Sequence, residues 1–369
     1  MRRRSKGAWM KTMTCCDIDP RTMSREEALT LSDADKIKYF KLVRLKHPRI
    51  AETLNEMTLR ATSDMGKGIV LLIGPTGVGK STLIKTLGEQ MISRERAEID
   101  ADPSYVPVAM MVAPASGGPG FSWKMFYSVL GKALREPLME KKLETRIEGD
   151  KTFVRLPGSG STLAGMKLAV ADIIKSRRTK LVVVDEAVPM LRPAPGNSLE
   201  NHMDTIKTMV DNDMTLVLVG SYDLLELASK GDQVARRSAI VHFRRYLTGI
   251  PEDERAFRKA LQQLQKFMPL QDMPDLTDRA LELQTTCIGC VGILKTVLLS
   301  TLNSALHNGG KWSESHLEKA QFSRAQFTKI MTATLSGEAS IQDSELGSGT
   351  FEALMAQAKL IETMRRGIA

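Results

Sequence analysis

The sequence is poor in aromatic residues, cysteine and histidine, and it has no long apolar run. Of its 369 residues, 5% are aromatic, five are His and four are Cys. No apolar run approaches the roughly 20 residues that a helix needs to cross a bilayer. The basic start, Met-Arg-Arg-Arg-Ser-Lys, is not followed by the apolar core of a signal peptide. These absences argue against export and against a membrane partner, so we expect a cytoplasmic protein.

The four cysteines form two sequence pairs, Cys15 with Cys16 and Cys287 with Cys290. The second pair is a CxxC motif, which occurs in zinc sites and in redox proteins. A zinc site would need both pairs to meet, because histidines are scarce nearby. The small residues around the CxxC motif instead resemble the face of a packed helix. Reduced structural thiols are therefore expected, and any further role of Cys287 and Cys290 stays open.

Positive charge is concentrated near the N-terminus. The formal net charge is +9, and residues 1–50 contain 13 Lys/Arg against 6 Asp/Glu. A basic arm over residues 1–30 suits an acidic partner such as nucleic acid. It suits a solubilising tail equally well, so charge alone does not choose between these two interpretations.

Five short apolar runs alternate with helical patterns along the first 250 residues. Continuous apolar runs between helices indicate a parallel sheet that is buried on both faces. The predicted fold class is therefore α/β, with a parallel five-stranded sheet. The predicted strands are 68–73, 106–112, 181–184, 215–219 and 239–243, and the predicted helices are 80–96, 123–134, 161–176 and 200–211.

Outside the sheet, the sequence predicts further helices and one hairpin. A helical pattern over residues 32–61 must break at Pro48, and a β-hairpin is predicted over residues 145–155. A helix over residues 350–365 suits docking on a partner, although a tail without function is the alternative. The predicted regions are a basic arm (1–30), an α/β domain with an N-terminal helical extension (31–250), an all-α region (251–336), and a Ser/Gly-rich linker with the C-terminal helix (337–369).

A phosphate-binding loop follows the first apolar run. Residues 74–81 match the motif G-x-x-x-x-G-K-[ST]. The glycines allow successive backbone N–H groups to converge on the β- and γ-phosphates at a helix N-terminus. Lys80 would neutralise phosphate charge, and the Ser81 hydroxyl would ligate Mg²⁺. The residues predicted to bind ATP are Gly74, Pro75, Thr76, Gly77, Val78, Gly79, Lys80, Ser81 and Thr82.

Acidic and polar side chains follow two later apolar runs. The run Leu-Val-Val-Val is followed directly by Asp185 and Glu186. A carboxylate at the carboxyl end of a buried strand can hold the water shell of Mg²⁺, which assigns Asp185 to the metal. Glu186 is then placed to polarise the attacking water. After the next run we expect Ser221 to contact the γ-phosphate, with Asp223 as the alternative and a plain strand-to-helix cap as the competing interpretation.

Two arginines, Arg236 and Arg237, precede the fifth apolar run. An arginine that one subunit supplies to its neighbour's γ-phosphate stabilises the charge of the transition state. Either arginine could act in this way only in an oligomer, and the sequence does not choose between them. Ordinary surface arginines are the competing interpretation.

These four elements, in this order and followed by an all-α region, resemble an AAA+ ATPase. Further segments resemble the TnsC/TniB family of transposition regulators and together cover roughly residues 38–310. The segments are Val106-Pro-Val-Ala-Met-Met-Val-Ala-Pro, Phe121-Ser-Trp-Lys-Met-Phe-Tyr127, Gly220-Ser-Tyr-Asp-Leu, Gln233-Val-Ala-Arg-Arg-Ser, Val241-His-Phe-Arg-Arg-Tyr246 and Gly289-Cys-Val-Gly-Ile-Leu-Lys295.

The resemblance implies the AAA+ P-loop fold with a smaller C-terminal all-α lid, and an ATPase that uses ATP and Mg²⁺. It also implies a homo-oligomer, either a ring or a helical filament, that assembles on double-stranded DNA in its ATP state. Such proteins recruit transposase subunits and are themselves placed by a target-selection protein. Lys295 falls where the lid could contact the nucleotide, although AAA+ relatives generally place Arg there.

Contacts to DNA phosphates need Lys or Arg side chains on one face and are largely independent of sequence. The predicted hairpin and the residues before it carry such side chains, but Glu144, Glu148 and Asp150 dilute their charge, and a solvated hairpin is the alternative. Trp123 and Phe126 are expected in the core. The candidate DNA-binding residues are Lys124, Lys141, Lys142, Arg146, Lys151 and Arg155.

Together these observations predict an ATP-dependent, DNA-binding regulator of transposition that couples target selection to transposase recruitment. One rival is an AAA+ ATPase of another role, such as a helicase loader or a secretion-associated ATPase. The other is a scaffold that binds ATP and barely hydrolyses it. The pair Asp185-Glu186 argues against the scaffold, because a scaffold needs no group to polarise water.

Overall fold

The computed structural model describes residues 18–62, 68–115, 118, 120–136, 144–148, 151–155, 163–193, 205–206, 209, 214–229 and 238–341. These residues divide into two compact units. The helical unit comprises residues 18–46 and 246–327, and the sheet unit comprises residues 47–245 and 328–341. The predicted helix at 350–365 lies outside the described residues.

Helices and strands alternate in the order that the apolar runs predict. The helices are α1 Arg25–Leu29, α2 Asp33–Leu42, α3 Pro48–Thr62, α4 Lys80–Arg94, α5 Arg96–Ala101, α6 Trp123–Ala133, α7 Leu163–Ser176, α8 Leu225–Ser229, α9 Pro251–Lys266, α10 Ala280–Thr286, α11 Val291–His307, α12 Glu314–Ala320 and α13 Arg324–Ser340. The strands are β1 Ile69–Ile73, β2 Val108–Val112, β3 Glu144–Glu148, β4 Lys151–Arg155, β5 Leu181–Asp185, β6 Thr215–Gly220 and β7 Ser238–His242.

Five of the strands form one sheet in the order β2-β5-β6-β1-β7, and every neighbouring pair is parallel. The central strands β1 and β6 are buried along their whole length. Their continuous aliphatic sequences suit this position, because a strand covered on both faces has no solvent side to keep polar. The predicted α/β fold with a parallel five-stranded sheet is confirmed.

The core of the sheet unit joins these strands to aromatic side chains at the start of α6. Trp123 and Phe126 are buried, with ring centroids 5.2 Å apart at an interplanar angle of 69°. This edge-to-face arrangement is the favoured one for aromatic pairs. The interpretation of both residues as core is confirmed. The predicted hairpin is also present, since β3 and β4 pair antiparallel with Glu148 opposite Lys151.

The helical unit combines the N-terminal helices with the helices that follow residue 246. The Arg25 guanidinium on α1 donates hydrogen bonds to the backbone carbonyls of Met268 and Leu270. On α11, Lys295 Nζ donates to Lys41 O at 2.7 Å and to Val43 O. Residues 18–46 therefore pack with the all-α region, whereas the sequence grouped residues 31–46 with the α/β domain.

The cysteines of the CxxC motif lie in this helical unit, between α10 and α11, and both are fully buried. Burial raises the pKa of the Cys287 thiol to about 12, so it stays protonated at neutral pH, and the thiol is not the reactive form. Among the described residues no group of three or more His, Cys, Asp or Glu side chains could hold a metal ion. Cys15 and Cys16 lie outside the described residues.

None of the described helices is by itself long and apolar enough to cross a bilayer. The segments Leu276–Thr286 and Val291–His307 are together long and apolar enough to span a bilayer, but the chain bends by 119° between them.

The predicted linker is wrong at its beginning. Residues 337–340 are the last residues of α13, and Ile341 after them is buried in the core of the sheet unit. The composition of 337–349 suggested a linker because Gly337 and the serines weaken a helical pattern. Burial of Glu338 and Ile341 in the sheet unit outweighs this weak propensity, so tertiary contacts extend the helix.

Candidate nucleotide-binding site

The phosphate loop connects β1 to α4 with two glycines in backbone conformations that other residues rarely adopt. Gly77 has φ 76° and Gly79 has φ 117°, both in the left-handed region. Between them the chain turns tightly, with the Val78 N–H donating to Pro75 O at 3.4 Å. A side chain at either glycine would be strained. Helix α4 then begins at Lys80, so its first N–H groups face the loop.

Gly74 is required for a different reason, which is the close approach of the chain after β7. A Cβ at Gly74 would lie 2.5 Å from Phe243 O, and one at Gly79 would lie 3.6 Å from the Phe243 ring. The Phe243 N–H also donates to Ile73 O at 2.8 Å. The fully buried Phe243 therefore lies directly against the phosphate loop and fixes its position.

Lys80 already points back into the loop. Its Nζ donates to Gly74 O at 2.8 Å and to Pro75 O at 2.9 Å. The ammonium is held in the space enclosed by the loop, next to the first backbone N–H groups of α4. This donor set fits the β- and γ-phosphates of a nucleotide. Ser81, the next residue on α4, is exposed and carries the hydroxyl that suits a hard cation.

Asp185 ends β5 and is only partly exposed. Its Oδ1 accepts a hydrogen bond from the Glu186 N–H at 2.9 Å. Glu186 has φ 52°, in the left-handed region, and its side chain is exposed. Backbone strain of this kind costs about 1–3 kcal/mol and concentrates at functional sites. The strained turn therefore supports a functional role for Glu186.

Ser221 follows β6, which lies between β5 and β1 in the sheet. Gly220 pairs with Ile73 on one side, and Leu218 pairs with Val184 on the other. The carboxyl ends of β5, β6 and β1 are thus neighbours, and the outer two strands are separated by about 10 Å. Ser221 Oγ donates to Asp223 Oδ2 at 2.7 Å, so the two alternatives for the γ-phosphate contact are hydrogen-bonded to each other.

The part of the chain that the structure describes does not place several predicted site residues at this edge of the sheet. Arg236 and Arg237 lie outside them, as do Lys141 and Lys142. Arg146, Lys151 and Arg155 lie on β3 and β4, whose side chains the structure does not describe. Lys124 is exposed on α6. The ammonium of Lys295 contacts the end of α2, and burial followed by the charge of Arg44 lowers its pKa; its contact with nucleotide stays a prediction.

The structure adds residues that sequence reasoning missed. Tyr222, directly after Ser221, has its hydroxyl oxygen 3.1 Å from His242 Nε2. Burial, followed by the charges of Arg244, Arg49 and Arg245, lowers the pKa of His242 to about 4. Phe243 supports the phosphate loop, as described above. No motif assigns these residues their supporting roles, because their partners are distant in the sequence.

The comparisons with known proteins agree with this arrangement. Residues 62–228, less than half of the chain, match the family model described as AAA domain. The ORC1 protein of Aeropyrum pernix, solved in complex with DNA, is similar over 84% of this chain and 70% of its own, with 15% identity and a TM-score of 0.53. A search among curated proteins found no match.

Two further structures are more distant in shape. The Aeropyrum pernix ORC2 protein, solved as ADPNP–ADP complexes, has 17% identity and a TM-score of 0.48 over 73% of this chain. The alignment spans 65% of that protein, just under two thirds of its length. Domain III of the Thermotoga maritima replication initiation protein DnaA has 10% identity and a TM-score of 0.43, over 76% of this chain and 94% of that domain.

The sheet order, the phosphate loop and the polar strand ends define an α/β AAA+ P-loop fold with a C-terminal helical region.

Proposed function

We propose that this chain is an ATP-hydrolysing regulator of DNA transposition that oligomerises on double-stranded DNA. In this role it couples target selection to transposase recruitment. The observation that carries the proposal is the alignment of three strand ends at one edge of the sheet. These ends bear the phosphate loop with Lys80, the pair Asp185 and Glu186, and the polar turn at Ser221.

The chemistry follows from these positions. The N–H groups at the start of α4 and the Lys80 ammonium bind the β- and γ-phosphates. Ser81 and Asp185 would hold Mg²⁺, which when bound would neutralise phosphate charge. Glu186 accepts a proton from the attacking water. The water oxygen bonds to the γ-phosphorus as the bond between that phosphorus and the β–γ bridging oxygen breaks. Ser221 contacts the γ-phosphate, and it loses this contact when phosphate leaves.

Neighbouring subunits complete the site in this proposal. Arg236 or Arg237 of one subunit contacts the γ-phosphate held by the next, which makes the assembly depend on ATP. The lid residue Lys295 contacts the same nucleotide. ATP binding would therefore promote assembly on DNA, and hydrolysis would dissolve it.

The DNA contacts proposed are electrostatic. Lys141, Lys142, Arg146, Lys151 and Arg155 would follow the phosphate backbone, with Lys124 as a second contact. The likeness in fold to ORC1 solved with DNA supports a DNA-binding role. The partners proposed for the DNA-bound state are transposase subunits and a target-selection protein, and the resemblance of the sequence to TnsC/TniB regulators supports them.

Electron microscopy of the full chain with plasmid DNA tests the proposal. With ATP and Mg²⁺ we expect rings or filaments on the DNA, and with ADP we expect bare DNA. ATP turnover should rise when double-stranded DNA is added. Bare DNA in ATP together with undetectable turnover would refute an ATP-driven assembly.

A second assay separates transposition from the other AAA+ roles. The DNA-bound chain should stimulate strand transfer by the transposase of the same mobile element in a purified reaction. Assembly on DNA without any stimulation would favour the helicase-loader role, and ATP binding with negligible turnover would favour the scaffold.

A further inference from the structure

A glycine stands inside the last turn of α13, where alanine would normally be more stable. Glycine in a helix interior is less stable than alanine, because its backbone loses more conformational freedom on folding. At Gly337, however, a Cβ would lie 2.6 Å from Tyr222 Cβ and closer still to two carbons of the Tyr222 ring. The side chain of Tyr222 therefore occupies the space that any other residue at position 337 would need. The glycine exists because the two segments touch.

Tyr222 is also held from a second side. Its hydroxyl oxygen lies 3.1 Å from His242 Nε2, and the two rings are 5.6 Å apart at 66°. Tyr222 is only 9% exposed. Strand β7 thus fixes the tip of the side chain, while Gly337 contacts its base. With both contacts present, the Tyr222 side chain has little freedom to turn.

The end of α13 is anchored independently of Tyr222. The Glu338 carboxylate accepts two hydrogen bonds from Arg245, at 2.9 Å and 3.1 Å, and both side chains are buried. Ile341 beyond it lies in the core of the sheet unit. A buried bidentate pair has one defined geometry, so Gly337 is placed firmly against Tyr222.

Ser221 depends on this arrangement because it is the residue before Tyr222. On its N-terminal side it is attached to β6, which is paired on both edges. On its C-terminal side its carbonyl accepts from the Leu224 N–H at 3.1 Å, within the short helical turn that Tyr222 begins. A shift of the Tyr222 backbone would therefore move Ser221 directly.

We propose that Tyr222 is a positioning residue for Ser221, and that the end of α13 helps to hold Tyr222 in place through its contact at Gly337. This inference rests on the proposed function, in which Ser221 contacts the γ-phosphate. Recognition of the γ-phosphate then requires a helix that begins more than one hundred residues later in the sequence. ADP has no γ-phosphate, so its binding does not require this helix.

The variant Gly337→Ala tests this inference in the full chain. We expect the kcat for ATP to fall by about 10- to 100-fold, the range for small displacements of a positioned group. The Kd for ADP should stay within about twofold. Ser336→Ala, an exposed position on the same helix, is the matched control and should leave both values unchanged. If position 337 were only a helix position, alanine would raise the unfolding temperature and leave kcat unchanged, which would overturn the inference.

Two more variants decide the case if Gly337→Ala does not fold. Tyr222→Phe keeps the ring and removes the hydroxyl that meets His242, so kcat should fall several-fold while the Kd for ADP holds; unchanged values would overturn the inference. Tyr222→Gly removes the ring and its Cβ, both of which a Cβ at position 337 would meet, so adding Gly337→Ala to it should have no further effect on kcat. A large further loss would show that position 337 acts elsewhere.

The same measurements separate this inference from the proposed function. If the unaltered chain neither binds nor hydrolyses ATP, the proposed function fails. If the unaltered chain is active and Ser221→Ala is slow, but Gly337→Ala and Tyr222→Phe are both normal, only the positioning role fails.

Discussion

Two neighbouring strand ends, those of β1 and β6, are proposed to contact the same phosphate group, yet they are built in different ways. The loop after β1 is shaped by its own residues, because Gly77 and Gly79 take left-handed conformations and Lys80 bonds to carbonyls five and six residues earlier. The turn after β6, residues 221–224, is held by the His242 side chain of β7 and by the backbone of α13 at Gly337.

This difference separates two sources of precision in one site. A phosphate loop needs specific backbone angles, which a short run of glycines supplies locally. The Ser221 hydroxyl lies on a partly buried turn and has only the local contacts to Asp223 and Leu224, so distant packing must add to them. The first kind of construction leaves a motif in the sequence, and the second does not. Both meet at Phe243 and His242, which follow one another and support the loop and the turn respectively.

Loss of Lys80 should disable the phosphate loop after β1. Lys80→Ala removes charge-assisted hydrogen bonds to phosphate that contribute about 1.5–3 kcal/mol each. With two such bonds, ATP affinity should fall by at least about 100-fold, and ATP-dependent retention on DNA should disappear. A filter-binding assay with labelled DNA measures this. Lys85→Ala, exposed on the same helix, should behave as the unaltered chain, and undiminished retention in Lys80→Ala would contradict the role of the loop.

Glu186→Gln should separate binding from hydrolysis. Loss of a general base lowers turnover by about 100- to 10,000-fold, while the amide preserves the size of the side chain and the affinity for ATP. The complex with DNA should therefore last longer after a chase with competitor DNA. Asp172→Asn, an exposed position on α7, is the control. Faster release from DNA would argue against disassembly driven by hydrolysis.

The sequence made the fold and the loop predictable because their determinants are local. Five apolar runs gave the five strands, and the spacing from Gly74 to Ser81 gave the phosphate loop. The supports of Ser221 were not predictable, since Gly337 falls at the start of the predicted linker and His242 inside a predicted strand, and nothing local links either residue to Ser221. The assignments of Arg236 and Arg237 stay predictions, as they lie outside the described residues.

Loss of Glu338 should weaken the anchor of α13, which supports the turn after β6. Glu338→Ala leaves the buried Arg245 guanidinium without its carboxylate, which typically costs about 3–5 kcal/mol of unfolding free energy. The ion pair of Arg49 with Glu52 provides the matched control, because Arg49 is only partly buried and Glu52 is exposed. Glu52→Ala should cost less than about 1 kcal/mol. Urea unfolding followed by circular dichroism measures both, and equal costs would mean that the Glu338–Arg245 pair does not anchor α13.

The smallest effect concerns pH, and it tests whether β7 supports the turn through a neutral histidine. Burial and the nearby charges of Arg244, Arg49 and Arg245 lower the pKa of His242 to about 4, from its ordinary value of 6.5. A lowered pKa means that the fold favours the neutral form. The stability that depends on it is complete above pH about 6.5 and is lost as pH falls towards 4.

The loss from His242 is at most about 3 kcal/mol, from 1.36 kcal/mol per unit of pKa. His242→Gln should therefore lose less stability than the unaltered chain when urea unfolding is compared at pH 7 and at pH 4.5. His307→Gln, an exposed position in the helical unit, should lose as much as the unaltered chain. His47, which stacks on Phe243 at 6.4 Å and whose pKa burial also lowers to about 4, adds a second contribution of the same sign. If His242→Gln retained the full pH dependence, protonation at the end of β7 would not weaken the fold. The turn would then be held by Gly337 and the α13 anchor alone.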